Sequence, residues 1–222
     1  MQKTIKIALD GPSGSGKSTI AKKLSKELDI LYLDTGAMYR ATALKALKSG
    51  IAPKDEGAVS GFINNLDLEI KYENGSQQTY LDGENVSDKI REPQVSMAAS
   101  DISSLKCVRL KMMEMQRKIA AKTSCVLDGR DIGSFVLPDA DYKFYITAGV
   151  EVRARRRYKE LTEKGFTVDF DKLKKEIEDR DYNDSHREFS PLVKAKDAIE
   201  IDTSDLDIEG VVNAVMSYIK TR

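Results

Sequence analysis

Residues that form disulfides or bind zinc are scarce in this sequence of 222 residues, which has two cysteines and one histidine. The cysteines, Cys107 and Cys125, are 18 positions apart, with no CxxC spacing and no cluster of histidines beside them. This pattern argues against a disulfide framework and against a zinc site. It is typical of a reducing compartment, so we expect a cytoplasmic protein.

Neither sign of charge is in excess, since 36 basic and 36 acidic residues give a formal net charge of zero. Proteins that bind nucleic acids or membrane surfaces usually have a basic excess, so we expect neither partner. The chain has no run of 18 apolar residues, and Met1 leads almost directly into a short apolar run, so we expect no membrane span and no signal peptide. A neutral chain of this length fits one domain with an insertion or two, and we expect a monomer.

Short apolar runs alternate with helical patterns along much of the chain. The run from Ile5 to Leu9 precedes apolar residues at helical spacing, and similar strand-like stretches recur as ILYLD, SCVLDG, YKFYIT and AIEID. Strands that alternate with helices predict a parallel α/β sheet. From Leu66 to Ile90 apolar and polar residues alternate around the turn dipeptides Asn74-Gly75 and Asp82-Gly83, which predicts a small antiparallel insertion.

The stretch from Gly11 to Ser18 matches GxxxxGKS and lies between a predicted strand and a predicted helix, as a phosphate-binding loop requires. Glycines let the backbone approach an anion, so that N–H groups at the start of the helix can point at phosphate oxygens. We expect Lys17 to reach the β- and γ-phosphates and Ser18 to ligate Mg²⁺. The sequence therefore predicts a nucleoside triphosphate with Mg²⁺ as the ligand. The residues expected to bind it are Gly11, Pro12, Ser13, Gly14, Ser15, Gly16, Lys17, Ser18 and Thr19.

A phosphate loop alone does not distinguish a kinase from a GTPase switch or a transporter ATPase. The sequence has no NKxD segment and no LSGGQ-like segment, and its DxxG at 207–210 lies where the last helix is predicted to begin. It offers arginines at several separated positions, which two phosphorylated substrates would need. Arg153, Arg156 and Arg157 share a helical face that could close over donor phosphates, although nearby glutamates equally allow an exposed, ion-paired face. A hydrolytic switch that binds a partner protein is the alternative.

Five stretches together resemble the bacterial cytidylate kinases, which are nucleoside monophosphate kinases that move the γ-phosphate of ATP to CMP or dCMP. They are DGPSGSGKST, LYLDTGAMYR, VLDGRDIGSFVLPDAD, RRRYKELTEKG and EIEDRDYNDSHREFSPL. Two departures are small: Thr35 stands where serine is common, and Ser18 where some members have threonine or glycine. The resemblance implies a parallel five-stranded α/β core of the P-loop kinase type, at about 1–60, 91–150 and 188–222. The antiparallel insertion at about 61–90 would lie in the acceptor-binding region, and residues 151–187 would form a helical lid that closes on binding.

The resemblance assigns the charged positions around the transferred phosphate. Arg40 and Arg130 match arginines that hold the 5′-phosphate of the acceptor, where a planar guanidinium can donate paired hydrogen bonds. Arg153 and Arg157 match lid arginines that fold over the transferring group and the ATP phosphates. Asp128 matches a carboxylate that contacts Mg²⁺ through water. Because the accepting phosphate oxygen is already ionised at neutral pH, no general base is expected.

The resemblance also assigns the positions that bind the nucleoside. Ser100, Arg109 and Asp131 match residues that read the cytosine edge, whose O2 and N3 accept hydrogen bonds and whose 4-amino group donates. Asp184 with Arg180 matches the pair that meets the ribose hydroxyls. The other positions assigned to CMP are Thr35, Tyr39, Asp128, Gly129 and Arg187.

Several of these residues also have a purely structural interpretation. Arg109 follows Val108 of an apolar stripe and could cover the core with its stem. Asp128 could simply end a strand, and Asp34 could cap the helix that begins near Gly36. His186 lies among charges and is expected to be solvated. The alternative kinase acceptors are UMP and shikimate.

Overall fold

The computed structural model describes residues 4–73 and 75–220, so Asn74 of the predicted turn dipeptide lies outside the described residues. The chain divides into two compact units. Unit 1 comprises residues 1–32 and 123–222, and unit 2 comprises residues 33–122.

The predicted parallel sheet is present and has five strands in the order β2-β6-β1-β7-β8. Its strands are β1 (Lys6–Asp10), β2 (Leu31–Asp34), β6 (Cys125–Gly129), β7 (Tyr142–Thr147) and β8 (Ile199–Asp202). The central strand β1 runs parallel to β6 and β7, and β7 runs parallel to β8. Ile7, Ala8 and Leu9 are fully buried, as a strand covered on both faces requires. Asp10 pairs in register with Gly129, so both strands end at the same edge of the sheet.

Two helices of unit 1 pack on this sheet, α1 (Lys17–Leu28) and α8 (Ile208–Lys220). Unit 1 also contains α6 (Val150–Glu163) and α7 (Phe170–His186). Leu24 of α1 and Val215 of α8 are fully buried in one core cluster with Ile7 and Leu9 of β1. Each such side chain contributes about 1.5–3 kcal/mol relative to exposure. This packing holds the start of α1 close to the carboxyl end of β1, where a phosphate loop has to be.

The segment predicted as a lid consists of α6 and α7. Gly165, in the left-handed region at φ +84°, follows the end of α6, and Asp169 caps α7 by accepting a hydrogen bond from the backbone N–H of Lys172. Ala154 packs with Leu173 and Ile177 in a small apolar cluster of its own. The two helices therefore form a hairpin with its own core.

Unit 2 contains the predicted antiparallel insertion together with four helices. The helices are α2 (Thr35–Lys48), α3 (Glu56–Ile63), α4 (Pro93–Ile102) and α5 (Lys106–Ala120), and the strands are β3 (Leu68–Glu73), β4 (Ser76–Leu81) and β5 (Glu84–Asn85). The strands pair antiparallel in the order β3-β4-β5. Asp82 and Gly83 both have positive φ, as expected for the tight turn that the Asp-Gly dipeptide predicts. The predicted meander is thus confirmed.

No helix among residues 4–73 and 75–220 combines the length and the apolar character needed to cross a bilayer.

Candidate nucleotide-binding site

The loop between β1 and α1 has the backbone geometry of an anion site. Gly11 has φ +143°, and a Cβ at this position would lie 2.0 Å from the carbonyl oxygen of Ile146. Gly16 has φ +92° and is the N-cap of α1. Only glycine adopts these conformations without strain. Within this turn Thr19 N–H donates to Gly16 O at 3.1 Å. The first N–H groups of a helix otherwise lack an acceptor one turn back, so the loop presents donors and the positive end of the helix dipole to an anion.

Lys17 lies folded against this loop and is 5% exposed. Its Nζ donates to the carbonyl oxygen of Pro12 at 2.6 Å and to Ser15 Oγ at 3.2 Å. Burial holds the pKa of Lys17 well below its usual value and Arg130 lowers it further, while nearby carboxylates act in the opposite sense. A bound phosphate would favour the charged form of Lys17.

Ser18 and Asp128 form the candidate metal site. Ser18 Oγ donates to Asp128 Oδ2 at 2.6 Å, and the hydroxyl of Tyr32 donates to Asp128 Oδ1 at 3.1 Å. Asp128 is 5% exposed and lies beside Leu9 in the register of β1 and β6. A hydroxyl and a carboxylate are the hard oxygen ligands that Mg²⁺ prefers, so these two residues fit the expected ion.

The stretch after β6 presents two charges of opposite sign, a half-buried Arg130 and a buried Asp131. Arg130 Nε donates to Asp184 Oδ2 at 2.8 Å, and Asp184 is 5% exposed at the end of α7. Burial by itself would raise the pKa of Asp184, but Arg130, Arg180 and Arg187 together hold it below its usual value. Unit 1 therefore brings Arg130, Arg180 and Arg187 together around the carboxylate of Asp184.

Asp10 holds the turn that follows Asp131, which is a role that sequence reasoning missed. It is 4% exposed, and its two carboxylate oxygens accept the N–H groups of Ile132 at 2.8 Å and Gly133 at 2.7 Å. These residues begin a π-helical turn, Ile132–Val136. Burial raises the pKa of Asp10 to about 6, although both backbone hydrogen bonds lower it. The signal available in the sequence was a charged residue, Asp10, at the end of a strand of buried type.

The arginines of the predicted cationic face of α6 contact different parts of the protein. Arg153 is 3% exposed and donates to Ser13 O of the phosphate loop at 3.1 Å and to Asp181 of α7 at 2.6 Å. Arg157 pairs with Glu160 at 2.7 Å on the outer part of the helix. Of these two arginines, Arg153 is the one with a bond to the phosphate loop.

Arg156 has a structural contact that the sequence did not reveal. Its NH1 donates to Thr203 Oγ1 at 3.0 Å and its NH2 to Thr203 O at 2.6 Å. Thr203 Oγ1 lies 3.2 Å from Ser15 O, to which it can donate. Arg156 thus joins α6 to the stretch after β8 and, through Thr203, to the phosphate loop.

Unit 2 contains the other predicted acceptor residues, three of them on α2. Asp34 caps this helix by accepting the N–H of Ala37 at 2.9 Å, which confirms the capping interpretation. Its second oxygen accepts Arg40 NH2 at 3.0 Å. A Cβ on Gly36 would lie 3.0 Å from Arg40 NH1, so the missing side chain leaves room for the guanidinium. Thr35, at the first helical position, is 2% exposed.

Arg109 is a buried charge on α5, only 2% exposed. Its NH1 donates to Ser103 O at 3.2 Å, and its guanidinium carbon lies 5.4 Å from the ring centroid of Tyr39. Ser100 of α4 is half-buried, and its carbonyl oxygen accepts the hydroxyl of Ser103. Arg109 therefore does more than cover the core with its stem, because its charged end is buried next to Tyr39.

His186, near the end of α7, is exposed, and its ring stacks on that of Tyr182 with centroids 4.0 Å apart.

Comparison with known proteins agrees with this geometry. A model of the family described as cytidylate kinase matches residues 7–221. The cytidylate kinase of Clostridioides difficile strain 630 is 52% identical over 213 residues, which cover 96% of this chain and 97% of the relative. That of Caldicellulosiruptor bescii is 49% identical over 214 residues, covering 96% and 95%.

Solved structures show the same fold at much lower identity. An uncharacterized protein from Eubacterium ventriosum superposes with a TM-score of 0.58 at 17% identity, covering 99% of this chain and 100% of that one. A shikimate kinase from Acinetobacter baumannii in complex with shikimate superposes with a TM-score of 0.51 at 14% identity, covering 99% and 95%.

Proposed function

This chain belongs to the cytidylate kinase family and is a nucleoside monophosphate kinase acting on CMP; we propose that its donor is Mg²⁺-bound ATP and that dCMP is a second acceptor. One observation supports a reaction between two phosphorylated substrates. Ser18 of the phosphate loop donates to Asp128 Oδ2 at 2.6 Å, and Arg130, two residues further along the chain, pairs with Asp184 at 2.8 Å. A site for a triphosphate thus adjoins arginines suited to a second phosphate.

The phosphate loop, Gly11–Thr19, binds the donor. Its backbone N–H groups hold the phosphates, and Lys17 leaves its contacts with the loop to pair with the β- and γ-phosphates. Ser18 and Asp128 would hold Mg²⁺, Asp128 through water. When bound, Mg²⁺ would offset the negative charge of the β- and γ-phosphates.

Arg40 and Arg130 bind the phosphate of the acceptor. Each guanidinium pairs with a carboxylate in this structure, Arg40 with Asp34 and Arg130 with Asp184. These ion pairs orient the two arginines before an anion arrives, which lowers the ordering cost of binding. The phosphate oxygen that attacks is already ionised, so the residues align the two anions and need not remove a proton.

Burial of charge supports the assignment of the cytosine-reading residues. Arg109 and Asp131 are 2% and 3% exposed, and charges buried to this extent are costly unless they form specific hydrogen bonds. Arg109 donates to O2 and N3 of cytosine, and Asp131 with Ser100 meets the 4-amino group. Uracil reverses donor and acceptor at N3 and at position 4, so it would leave these groups unpaired.

The remaining residues bind the ribose and close the site. Asp184 with Arg180 receives the ribose hydroxyls, while Arg187 lies toward the phosphates, and Thr35, Tyr39 and Gly129 complete the CMP site. Residues 151–187 act as the lid. Arg153, already bonded to the phosphate loop, and Arg157 place positive charge over the transferring group. Closure of the lid excludes water as a competing acceptor.

We further propose a monomeric, cytoplasmic enzyme built as one kinase domain with the insertion at about 61–90. The two cysteines are both free thiols, as a reducing compartment requires, and Cys125 is buried, which raises its pKa to about 11.

A panel of acceptors tests the proposal. ADP release from Mg²⁺-ATP is followed with CMP, dCMP, UMP, AMP, GMP and shikimate, each with and without excess EDTA. We expect fast release with CMP and dCMP, slower release with UMP and none above background with shikimate, and EDTA should abolish all of it. Preference for another acceptor would contradict the base assignment, and hydrolysis that ignores the acceptor would favour a nucleotide-dependent switch.

A further inference from the structure

Ser190 has an unusual backbone conformation. Three non-glycine residues among those described have positive φ: Asp29, Asp82 and Ser190, at +51°, +51° and +52°. Asp29 follows a helix and Asp82 lies in a hairpin turn, where aspartate commonly adopts this conformation. Ser190 precedes Pro191, and a following proline favours extended backbone instead. This conformation costs about 1–2 kcal/mol, so the surrounding contacts must compensate for it.

In this conformation Ser190 makes two hydrogen bonds. Ser190 Oγ donates to Asp131 Oδ2 at 2.5 Å, across 59 positions of sequence. The carbonyl oxygen of Ser190 accepts Arg187 Nε at 2.6 Å. The loop is closed by a hydrogen bond from Leu192 N–H to Asp184 O at 2.7 Å. One serine therefore contacts two residues that we assign to CMP.

Aromatic packing fixes the two segments against each other within unit 1. The ring of Phe189, next to Ser190, meets the ring of Phe135 edge-to-face, with centroids 5.1 Å apart and planes at 84°. Phe135 N–H donates to Asp131 O at 2.9 Å. Such aromatic pairs contribute about 0.5–1.5 kcal/mol beyond the area they bury. The hydroxyl of Ser190 is thus held at Asp131 by contacts on both sides of the bond.

We propose that Ser190 is a positioning residue that gives this kinase its preference for cytosine over uracil. The inference rests on the proposed role of Asp131 in reading the base. A hydroxyl that donates to a carboxylate forms a short, charge-assisted hydrogen bond, which prevents the carboxylate from rotating. With Oδ2 held by Ser190, Oδ1 keeps one orientation as an acceptor for the 4-amino group of cytosine. The O4 of uracil is itself an acceptor and gains nothing from that orientation.

Steady-state kinetics of four variants test the proposal. Ser190→Ala and Ser190→Gly both remove the hydroxyl, Asp131→Asn changes the base-reading group itself, and Ser185→Ala is the control. Ser185 lies on α7, where its hydroxyl donates to carbonyl oxygens of the same helix. Because glycine adopts positive φ without strain, Ser190→Gly folds even if the alanine variant does not. Each variant is assayed with CMP and with UMP, and its thermal midpoint is measured.

The expected result is a loss of selectivity that is larger than any general loss of activity. For both Ser190 variants, kcat/KM for CMP should fall about 10-fold or more while that for UMP changes less than about 3-fold, since only cytosine uses the oriented carboxylate. The KM for ATP should stay the same. Ser185→Ala should behave as the parent protein does.

Three outcomes would overturn the inference. If Ser190→Ala and Ser190→Gly lose activity equally with CMP and UMP, Ser190 is merely structural. If Asp131→Asn lowers the CMP-to-UMP ratio but the Ser190 variants do not, this inference fails while the proposed base reading stands. If Asp131→Asn leaves the ratio unchanged, the proposed base reading fails and this inference fails with it.

Discussion

Lys17 and Arg109 are both buried cations, at 5% and 2% exposure, but their neighbours give them different tasks. Lys17 contacts the phosphate loop, which every reaction of this enzyme uses. Arg109 lies next to Tyr39, which we assign to the acceptor site. Substitution by methionine removes either charge and keeps most of the apolar stem, so the comparison isolates the charge.

We predict that Lys17→Met lowers kcat about 10²-fold or more for every acceptor, because it removes a positive charge from the transferring phosphate. Arg109→Met should lower kcat/KM for CMP about 10²-fold and that for UMP much less, because it removes the group that we propose donates to O2 and N3 of cytosine. Steady-state assays with CMP and UMP decide between these effects. Equal losses on both bases in Arg109→Met would contradict its assignment to cytosine.

Single residues also show where sequence reasoning stops. Lys17 and Ser18 are predictable because a local pattern, strand then glycines then helix, carries their chemistry. The bond from Ser190 to Asp131 spans 59 positions, and that from Ile132 to Asp10 spans 122. No local spacing reports such contacts, since they exist only after the strands and loops have assembled. The roles carried by the resemblance, such as that of Arg180, stay predictions.

At the level of elements, several side chains join the antiparallel insertion to α2: Lys45 and Lys48 of the helix pair with Asp82 and Glu84, and Gln77 of β4 bonds to the residue that caps it. Gln77 of β4 accepts the N–H of Asp34 at 2.8 Å and donates to Asp34 O at 3.2 Å, so its amide pairs with the backbone as a neighbouring strand would. Asp34 in turn caps α2 and pairs with Arg40. The insertion therefore supports the arginine that we assign to the acceptor phosphate.

We predict that Gln77→Met raises the KM for CMP about 5- to 10-fold, since two hydrogen bonds of about 1 kcal/mol each are lost and Arg40 is less well held. The KM for ATP should not change. Gln78→Met is the matched control, because Gln78 is the next residue of β4 and its Oε1 accepts Asn85 Nδ2 within the insertion. A similar change in both variants, or a change in the KM for ATP, would refute the link.

Elements with strong periodicity were predictable, and short ones were not. The strands of the parallel sheet and the helices α1, α2, α5, α6, α7 and α8 follow from apolar spacing. The short helices α3 and α4 were missed, although Asp55 caps one and Pro93 begins the other. The π-helical turn Ile132–Val136 had no sequence signal, because its geometry depends on the two N–H groups that Asp10 accepts.

Unfolding exposes all buried carboxyl groups together, so its pH dependence is a property of the whole molecule. Asp184 has a pKa lowered by its arginines, against the effect of burial. Its contribution to stability is present above its unfolded pKa and is lost as pH falls through its folded pKa. The contribution of Asp10 to stability changes with pH in the opposite direction, because burial raises its pKa from 3.8 to about 6. Its contribution is complete below its unfolded pKa and is lost as pH rises through about 6.

We predict that the stability of the parent protein relative to Asp10→Asn falls by about 2 kcal/mol between about pH 4.5 and about pH 7.5, since each unit of pKa shift corresponds to about 1.4 kcal/mol. The comparison removes the titration of the groups that do not interact with Asp10, because they titrate alike in the two proteins. Urea denaturation of both proteins at several pH values in this range measures the difference. Asp184→Asn serves as the opposite case, because the stability of the parent relative to this variant should fall toward low pH. A difference between parent and Asp10→Asn that is constant with pH would show that Asp10 is ionised in the folded protein as readily as in the unfolded chain.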